Sequence, residues 1–366
     1  MTSPSKAPHS APTSLSRRRC SLQSRVPRIR AVLEKHKQSL YAVFTYYAMS
    51  SGGNNTTTWT LNVYTAFCDE CRIPDPASAY CKLKDLDNLF IVSTGDVPPE
   101  AKRDKGKSSD APHTGHMLMR YSFLNVLVRT AMAKFKAEAD ASAAWALERL
   151  ISEHVLPSLP PLALVDRDDF RNWKLYDPNV EDTFKAYDKS LRPLFKHYAA
   201  MDYDGLTQRG ELLNLDEWNR MLADCELFDA VFSRREAAYC FVLSGMFVAD
   251  EIKRREKLVM LPYESFLEAL ARVTCFKPLP TTLQMNEAKC ATTMEYVEAQ
   301  QQEGRLNEWC HANAPNWEVE MKEGRHLHEA LDKLLQLVVE RTTGDVTLPI
   351  TAKILNKRKD GRENAR

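Results

Sequence analysis

The strongest constraint on the fold is that much of the chain is written twice. Ser39-Leu40-Tyr41-Ala42-Val43-Phe44-Thr45-Tyr46-Tyr47-Ala48 returns in outline as Ser190-Leu191-Arg192-Pro193-Leu194-Phe195-Lys196-His197-Tyr198-Ala199, at an offset of 151. Tyr64 to Cys71 returns as Trp218 to Cys225, 154 positions on. In both, an acidic residue precedes the cysteine (Glu70, Asp224) and an aliphatic residue stands two places after it (Ile73, Leu227). A segment with acidic residues ending in Phe comes next: Asp85 to Phe90, and Glu236 to Phe241. Each copy closes on an aromatic-led stretch, Tyr121 to Arg129 and Tyr263 to Arg272. Two copies are too few for a solenoid, whose core needs at least three stacked repeats. They read as duplicated domains.

The apolar spacing within each copy is helical. Leu40, Val43, Phe44 and Tyr47 form one stripe, and Tyr64, Phe67, Cys68 and Cys71 the next. Leu83, Leu86, Leu89, Phe90 and Ile91 form a third, and Tyr121, Phe123, Leu124, Leu127, Val128 and Phe135 a fourth. Ser233 with Glu236 has the spacing of a capping box. The chain carries only 12 glycines in 366 residues, against about 26 at the average of about 7%. That speaks against turn-rich all-β folds and against glycine-loop nucleotide folds. No apolar run reaches the ~18–20 residues of a membrane span, and the arginine-bearing N-terminus lacks the apolar stretch of a secretory signal.

Composition shifts set the expected boundaries. Residues 1–30 carry seven cations and no acid and read as a disordered basic arm. Residues 31–156 read as the first domain, with a long loop at 96–116. The proline-bearing stretch 157–183 reads as a linker, and 184–277 as the second domain. A helical extension is expected over 278–345, with one polar helix over about 281–304 and an amphipathic one over about 326–340. Residues 346–366 read as a basic tail. The whole chain is nearly neutral, with 50 Lys plus Arg against 49 Asp plus Glu, so it is not expected to be a nucleic-acid binder.

Sites of chemistry are sparse. Cys68 and Cys71 form a lone pair at Cys-x-x-Cys spacing, with no second pair for zinc, and are expected to pack in a helix face. Cys310-His311 has the residues of a nucleophile and its base, but adjacent helix positions do not face each other. No phosphate loop, dinucleotide fingerprint or zinc-protease motif is present. A calcium loop needs ligands at positions 1, 3 and 5 and a bidentate Glu at 12. Counted from Asp202-Tyr203-Asp204-Gly205, position 12 is Leu213, so calcium binding is not expected. Arg129 and Arg272 hold equivalent places, each either a salt-bridged arginine at a domain edge or a partner contact.

Four helices in two pairs, with a short extended piece after the first helix of each pair, is the layout of a paired EF-hand module. The first copy resembles the tubulin polymerisation promoting protein family. The residues that carry the likeness are Phe44, Trp59, Glu70-Cys71, Leu83-Lys84-Asp85-Leu86-Asp87-Asn88-Leu89-Phe90, and Tyr121 to Leu127. The loop at 96–116 is longer than that family's, and its basic C-terminal repeat region is not evident. The resemblance implies an all-α protein of two tandem four-helix EF-hand-like domains. It also implies a cytoskeletal role: a non-enzymatic adaptor, without cofactor or metal, binding tubulin, microtubules or axonemal proteins in the cytoplasm of a flagellum or cilium. Arg17, Arg18, Arg19, Arg129 and Arg272 are the expected partner contacts. The alternatives are a calcium-responsive sensor and a soluble adaptor.

Overall fold

The computed structural model describes residues 14–50, 56–95, 117–138, 142–199, 212–248 and 254–363. Helix accounts for 70% and strand for 3%, so the chain is mostly helical as its periodicity predicts. None of the described helices is long and apolar enough to cross a membrane. The chain divides into two compact units. One draws on Met1–Phe44, Trp59–Pro98 and Ser108–Pro160, the other on Thr45–Thr58, Pro99–Lys107 and Pro161–Arg366.

The duplication is visible in the element order. The first copy runs α2 (Lys37–Ser50), β1 (Thr58–Trp59), α3 (Leu61–Glu70), α4 (Leu83–Gly95), β2 (Leu118–Met119) and α5 (Arg120–Lys134). A seventh element, α6 (Ala143–Arg149), continues through a π turn (Leu150–Val155) into a last turn at Leu156–Ser158. The second copy runs α7 (Pro178–Ala199), β3 (Leu213–Asn214), α8 (Leu215–Asp224), α9 (Arg234–Ser244), a short helix (Arg255–Val259), β4 (Met260–Leu261) and α10 (Tyr263–Val273). β1 pairs with β2 and β3 with β4. The second pairing is antiparallel, with Leu213 opposite Leu261 and Asn214 opposite Met260.

Aromatic packing centres the first unit. Trp59 stacks on Phe44 with ring centroids 5.3 Å apart, sits 4.6 Å from Phe123 and 5.2 Å from Phe67, and donates its Nε1–H to the Phe44 carbonyl at 2.8 Å. Burying an indole without a partner for that N–H would cost part of what its area gains. In the second unit Trp218, at the position of Tyr64, donates to the Ala237 carbonyl at 3.0 Å. Tyr64 meets the same need with Thr130 Oγ1 at 2.9 Å.

The two copies share one local device. α3 and α8 end alike: the N–H of Ile73 reaches the Cys68 carbonyl and that of Leu227 the Leu222 carbonyl, both at 2.9 Å. Arg72 and Glu226 take the left-handed conformation this ending requires, each with φ of 50°, a place where glycine is usual. A lysine from the end of the copy then closes on the turn. Lys134 Nζ donates to the Ile73 carbonyl at 2.7 Å, and Lys277 Nζ to the Leu227 carbonyl at 2.7 Å and to Asp229 Oδ2 at 2.6 Å. Lys134 and Lys277 stand 143 apart, as do Arg129 and Arg272. The predicted box at Ser233 and Glu236 forms, with Glu236 Oε2 accepting from the Ser233 N–H at 2.9 Å.

Several boundaries differ from expectation. Residues 14–30, expected in a disordered arm, lie in a helix, α1 (Ser14–Lys35); arginine and leucine are good helix formers, and the helix is anchored at its end. Lys35 Nζ lies 2.6 Å and His36 Nε2 3.0 Å from Glu148 Oε1 of α6, and both contacts hold the Glu148 carboxyl below its ordinary range. Residues 157–183 are not a linker: Phe170 and Val180 are buried in the core of the second unit. The polar stretch over 281–304 is two helices, α11 (Thr282–Glu287) and α12 (Thr293–Gln302). Lys289 turns left-handed between them, and Thr292 opens the second with a capping box to Glu295.

The C-terminal region completes the second core. α14 (Leu327–Thr343), which comes after α13 (Leu306–Ala312), buries Leu331, Leu334, Leu335 and Val338 entirely. The region read as a tail contains α15 (Ala352–Glu363). Ile350 and Leu355 are buried, and the Ile350 N–H donates to Ser190 Oγ of α7 at 3.1 Å.

Removing the Lys277 ammonium leaves Asp229 a buried carboxylate without its cation. Lys277→Met is expected to lower the free energy of unfolding by about 3 kcal/mol. Lys134→Met, at a half-buried site facing carbonyls alone, should cost about 1 kcal/mol. Urea titration monitored by circular dichroism checks both, and equal losses would contradict the difference in burial.

Candidate functional site

Of the expected partner arginines, Arg272 is not at a surface. Arg17, Arg18 and Arg19 lie in α1, and further along that helix Arg25, Arg28 and Arg30 are exposed. Arg129 is half-buried, with its Nε 3.1 Å from Asn125 Oδ1 one turn back. Arg272 is completely buried, which removes it from the partner contacts. Its Nε and Nη2 donate to Glu268 Oε1 at 2.9 and 2.7 Å. Nη2 also donates to the Arg167 carbonyl at 2.7 Å, and the guanidinium lies 4.5 Å from the Phe170 ring centre. Burial lowers the Arg272 pKa and the neighbouring Glu268 charge opposes that shift. The same position in the two copies has become a surface-side hydrogen bonder in one and a core ion pair in the other.

The thiols read as packing groups. Cys68, Cys71 and Cys81 are all buried. Burial raises all three thiols, with that of Cys71 pushed up to about 12. Among the described residues no group of His, Cys, Asp and Glu is arranged to hold a metal ion. Asp202-Tyr203-Asp204-Gly205 lies outside the described residues. Cys310 is buried, its thiol pushed up to about 11 by burial, while His311 beside it is exposed.

The feature that sequence reading missed lies where a linker was expected. Asp166 caps a short helix (Arg167–Phe170) that widens into a π turn, Arg171–Leu175, closed by the Tyr176 N–H on the Arg171 carbonyl at 3.1 Å. Such turns insert one residue into a helix and reorient the residues beyond it. Here the turn holds Arg171 inward, its Nε 2.9 Å from Glu268 Oε2, and leaves Trp173 and Tyr176 68% and 73% exposed. Asp177 then starts α7, accepting from the Asn179 N–H at 2.7 Å, with Pro178 at the first helical position, where it loses no hydrogen bond.

Between the first half of α7 and the face of α10 lies a groove of about 560 Å³. Leu175, Val180, Phe184, Tyr263 and Leu267 give it an apolar floor. Its walls are fixed by polar contacts. Tyr263 donates its hydroxyl to Asp188 Oδ1 at 3.0 Å, and Arg192 Nε reaches Asp188 Oδ2 at 2.8 Å. The Arg192 guanidinium lies 4.5 Å from the Tyr263 ring centre. Burial, and then the hydrogen bond to the Asp188 carboxylate, raise the Tyr263 hydroxyl well above its ordinary value, so it stays a donor. The site offers shape, aromatic surface and carboxylates.

No match answers for this chain. No protein-family model, no curated protein and no solved structure is found to be similar to it.

Burial sets two expected outcomes. In native protein at pH 8, iodoacetamide should modify Cys290, which is half-exposed, while Cys68, Cys71 and Cys81 react only after unfolding; peptide mass spectrometry reads this directly. Arg272→Leu should destabilise the second unit by about 3 kcal/mol, because Glu268 loses its innermost cation. A change below about 1 kcal/mol in thermal or urea unfolding would contradict the buried pair.

Proposed function

We propose that the chain is a non-enzymatic adaptor of the microtubule cytoskeleton, built on two EF-hand-derived domains and working at tubulin or neighbouring proteins of a flagellar or ciliary axoneme. The observation that carries the reading is the shared order of helix, short strand, helix, helix, short strand, helix, with a short helix (Arg255–Val259) ahead of the second strand in the second copy and the two short strands of each copy paired. Paired helix-loop-helix modules join their two loops in this way. The likeness of the first copy to the tubulin polymerisation promoting protein family supplies the cytoskeletal part of the reading, through Phe44, Trp59, Cys71 and Phe90. Phe44 and Trp59 stack on each other, and Cys71 and Phe90 are buried, so the residues that carry the likeness are core residues.

Long-range attraction comes from α1. From Ser14 to Leu33 it holds six arginines and no acidic residue, and a helix of that charge is drawn to acidic protein surfaces in a salt-dependent way. Sedimentation with stabilised microtubules tests this. The full chain is expected to pellet with microtubules at about 50 mM salt and to be released progressively as added salt shortens the screening length to about 10 Å and below. Replacing Arg17, Arg18 and Arg19 with Glu should weaken pelleting by about tenfold without changing the unfolding midpoint. Failure to pellet at low salt would remove the microtubule part of the reading, and pelleting indifferent to the three replacements would remove the role of α1.

A further inference from the structure

The groove of the second unit is independent of the microtubule reading and has its own chemistry. We infer that it is a docking site for a basic amphipathic helix of a partner protein, with leucine-like side chains entering between α7 and α10 and lysines or arginines meeting the carboxylates at the mouth.

Three observations lead there. The first is charge. Five carboxylates line the groove, Asp177, Glu181, Asp188, Glu264 and Glu268, against two cations, Lys185 and Arg192. Both cations are already held one helical turn away on α7, Lys185 by Glu181 at 2.8 Å and Arg192 by Asp188 at 2.8 Å. Glu268 is matched from within the protein by Arg171 and Arg272. Asp177 and Glu264 make no ion pair among the described residues. An anionic occupant would therefore meet carboxylates with no cation to spare, and a cationic one meets two that lack an ion-pair partner.

The second observation is the aromatic surface. Tyr176, which lines the groove, stands 73% exposed on a turn that also carries the exposed Trp173 and is itself anchored through Arg171 to Glu268. Exposed, rigidly held aromatics are the side chains from which interface hot spots are made. The third is geometry. The groove is walled by two helices, α7 and α10. It presents side chains and no strand edge, so an added strand has nothing to pair with. A third helix laid along the two, with apolar residues at every third or fourth place, fits such a groove.

The test uses the full chain and two fluorescein-labelled synthetic peptides of about 20 residues, long enough to be helical when bound. Both place leucines at alternating three- and four-residue spacing; one fills the other positions with lysine, the other with glutamate. Fluorescence anisotropy is expected to show binding of the leucine–lysine peptide and none of the leucine–glutamate peptide. Tyr176→Ala removes an exposed ring and Glu264→Lys reverses a charge at the groove mouth, so neither disturbs the core. Each should weaken the lysine peptide about tenfold, and Glu264→Lys should also flatten its salt dependence. Equal binding of the two peptides, or binding unmoved by both substitutions, would overturn the inference. So would concentration-dependent self-association in sedimentation velocity that Tyr176→Ala abolishes, since the groove would then serve a second copy of this chain.

Discussion

A lysine ammonium set against a carbonyl that a helix ending has left open holds each copy closed. α3 and α8 each stop in a left-handed residue, and the turn beyond points a carbonyl, Ile73 or Leu227, at the last helix of the copy. Lys134 at the end of that helix, or Lys277 in the turn just beyond it, answers. The bond joins the second helix to the fourth, so the two helix pairs of a copy cannot separate without breaking it. The second unit adds Asp229 to the contact and buries it. In low dielectric such a pair is costly to split although it adds little when intact. The arrangement therefore specifies which helices meet more than it adds to net stability.

Around this shared frame the two units are finished differently. The first closes on its own aromatic cluster and on α6, whose π turn precedes Pro157, a residue that cannot continue ordinary helical hydrogen bonding. The second recruits segments from both sides of its copy. Phe170 comes from ahead of α7, and α14, Ile350 and Leu355 come from beyond α10. The ion pair of Arg272 with Glu268 sits where the leading segment meets α10, and Arg171 reaches the same carboxylate from the π turn. One carboxylate thereby places the aromatic turn and one wall of the groove.

Much of this is legible in the sequence because duplication carries more information than periodicity does. Matching blocks place α2 to α5 and α7 to α10 in order, and the spacing of Ser233 and Glu236 marks a real cap. The rest escapes for identifiable reasons. The arginines of α1 read as disorder because charge without acid usually means a solvated tail, yet arginine is also a good helix former. The start of α7 lies earlier than the repeat alone suggests, and Asp177-Pro178, a capping residue and then proline at the first helical position, is the signal for it. Val180, Phe184, Tyr187 and Leu191 continue the apolar spacing from there. The groove leaves no local signal, because its floor comes from residues about eighty positions apart. Arg272 takes its expected role from its symmetry with Arg129, and symmetry of position says nothing about which other segment covers it. Phe170 and Arg167, which cover it, belong to no repeat.

The hydrogen bond from Ile350 to Ser190 has a consequence for how the chain is made. A ribosome releases α2 to α6 long before it reaches the second half, so the first unit has all its own core residues in hand early. The second unit does not. Its core waits for Leu331 to Val338, for Ile350 and for Leu355, which emerge long after α7. Until then α7 and α10 expose apolar faces that belong under α14 and α15. Domains that complete early during synthesis fold as they emerge, while this one must wait in the open or under the cover of a chaperone. A premature stop just before α14 would leave the first unit intact and the second permanently unfinished.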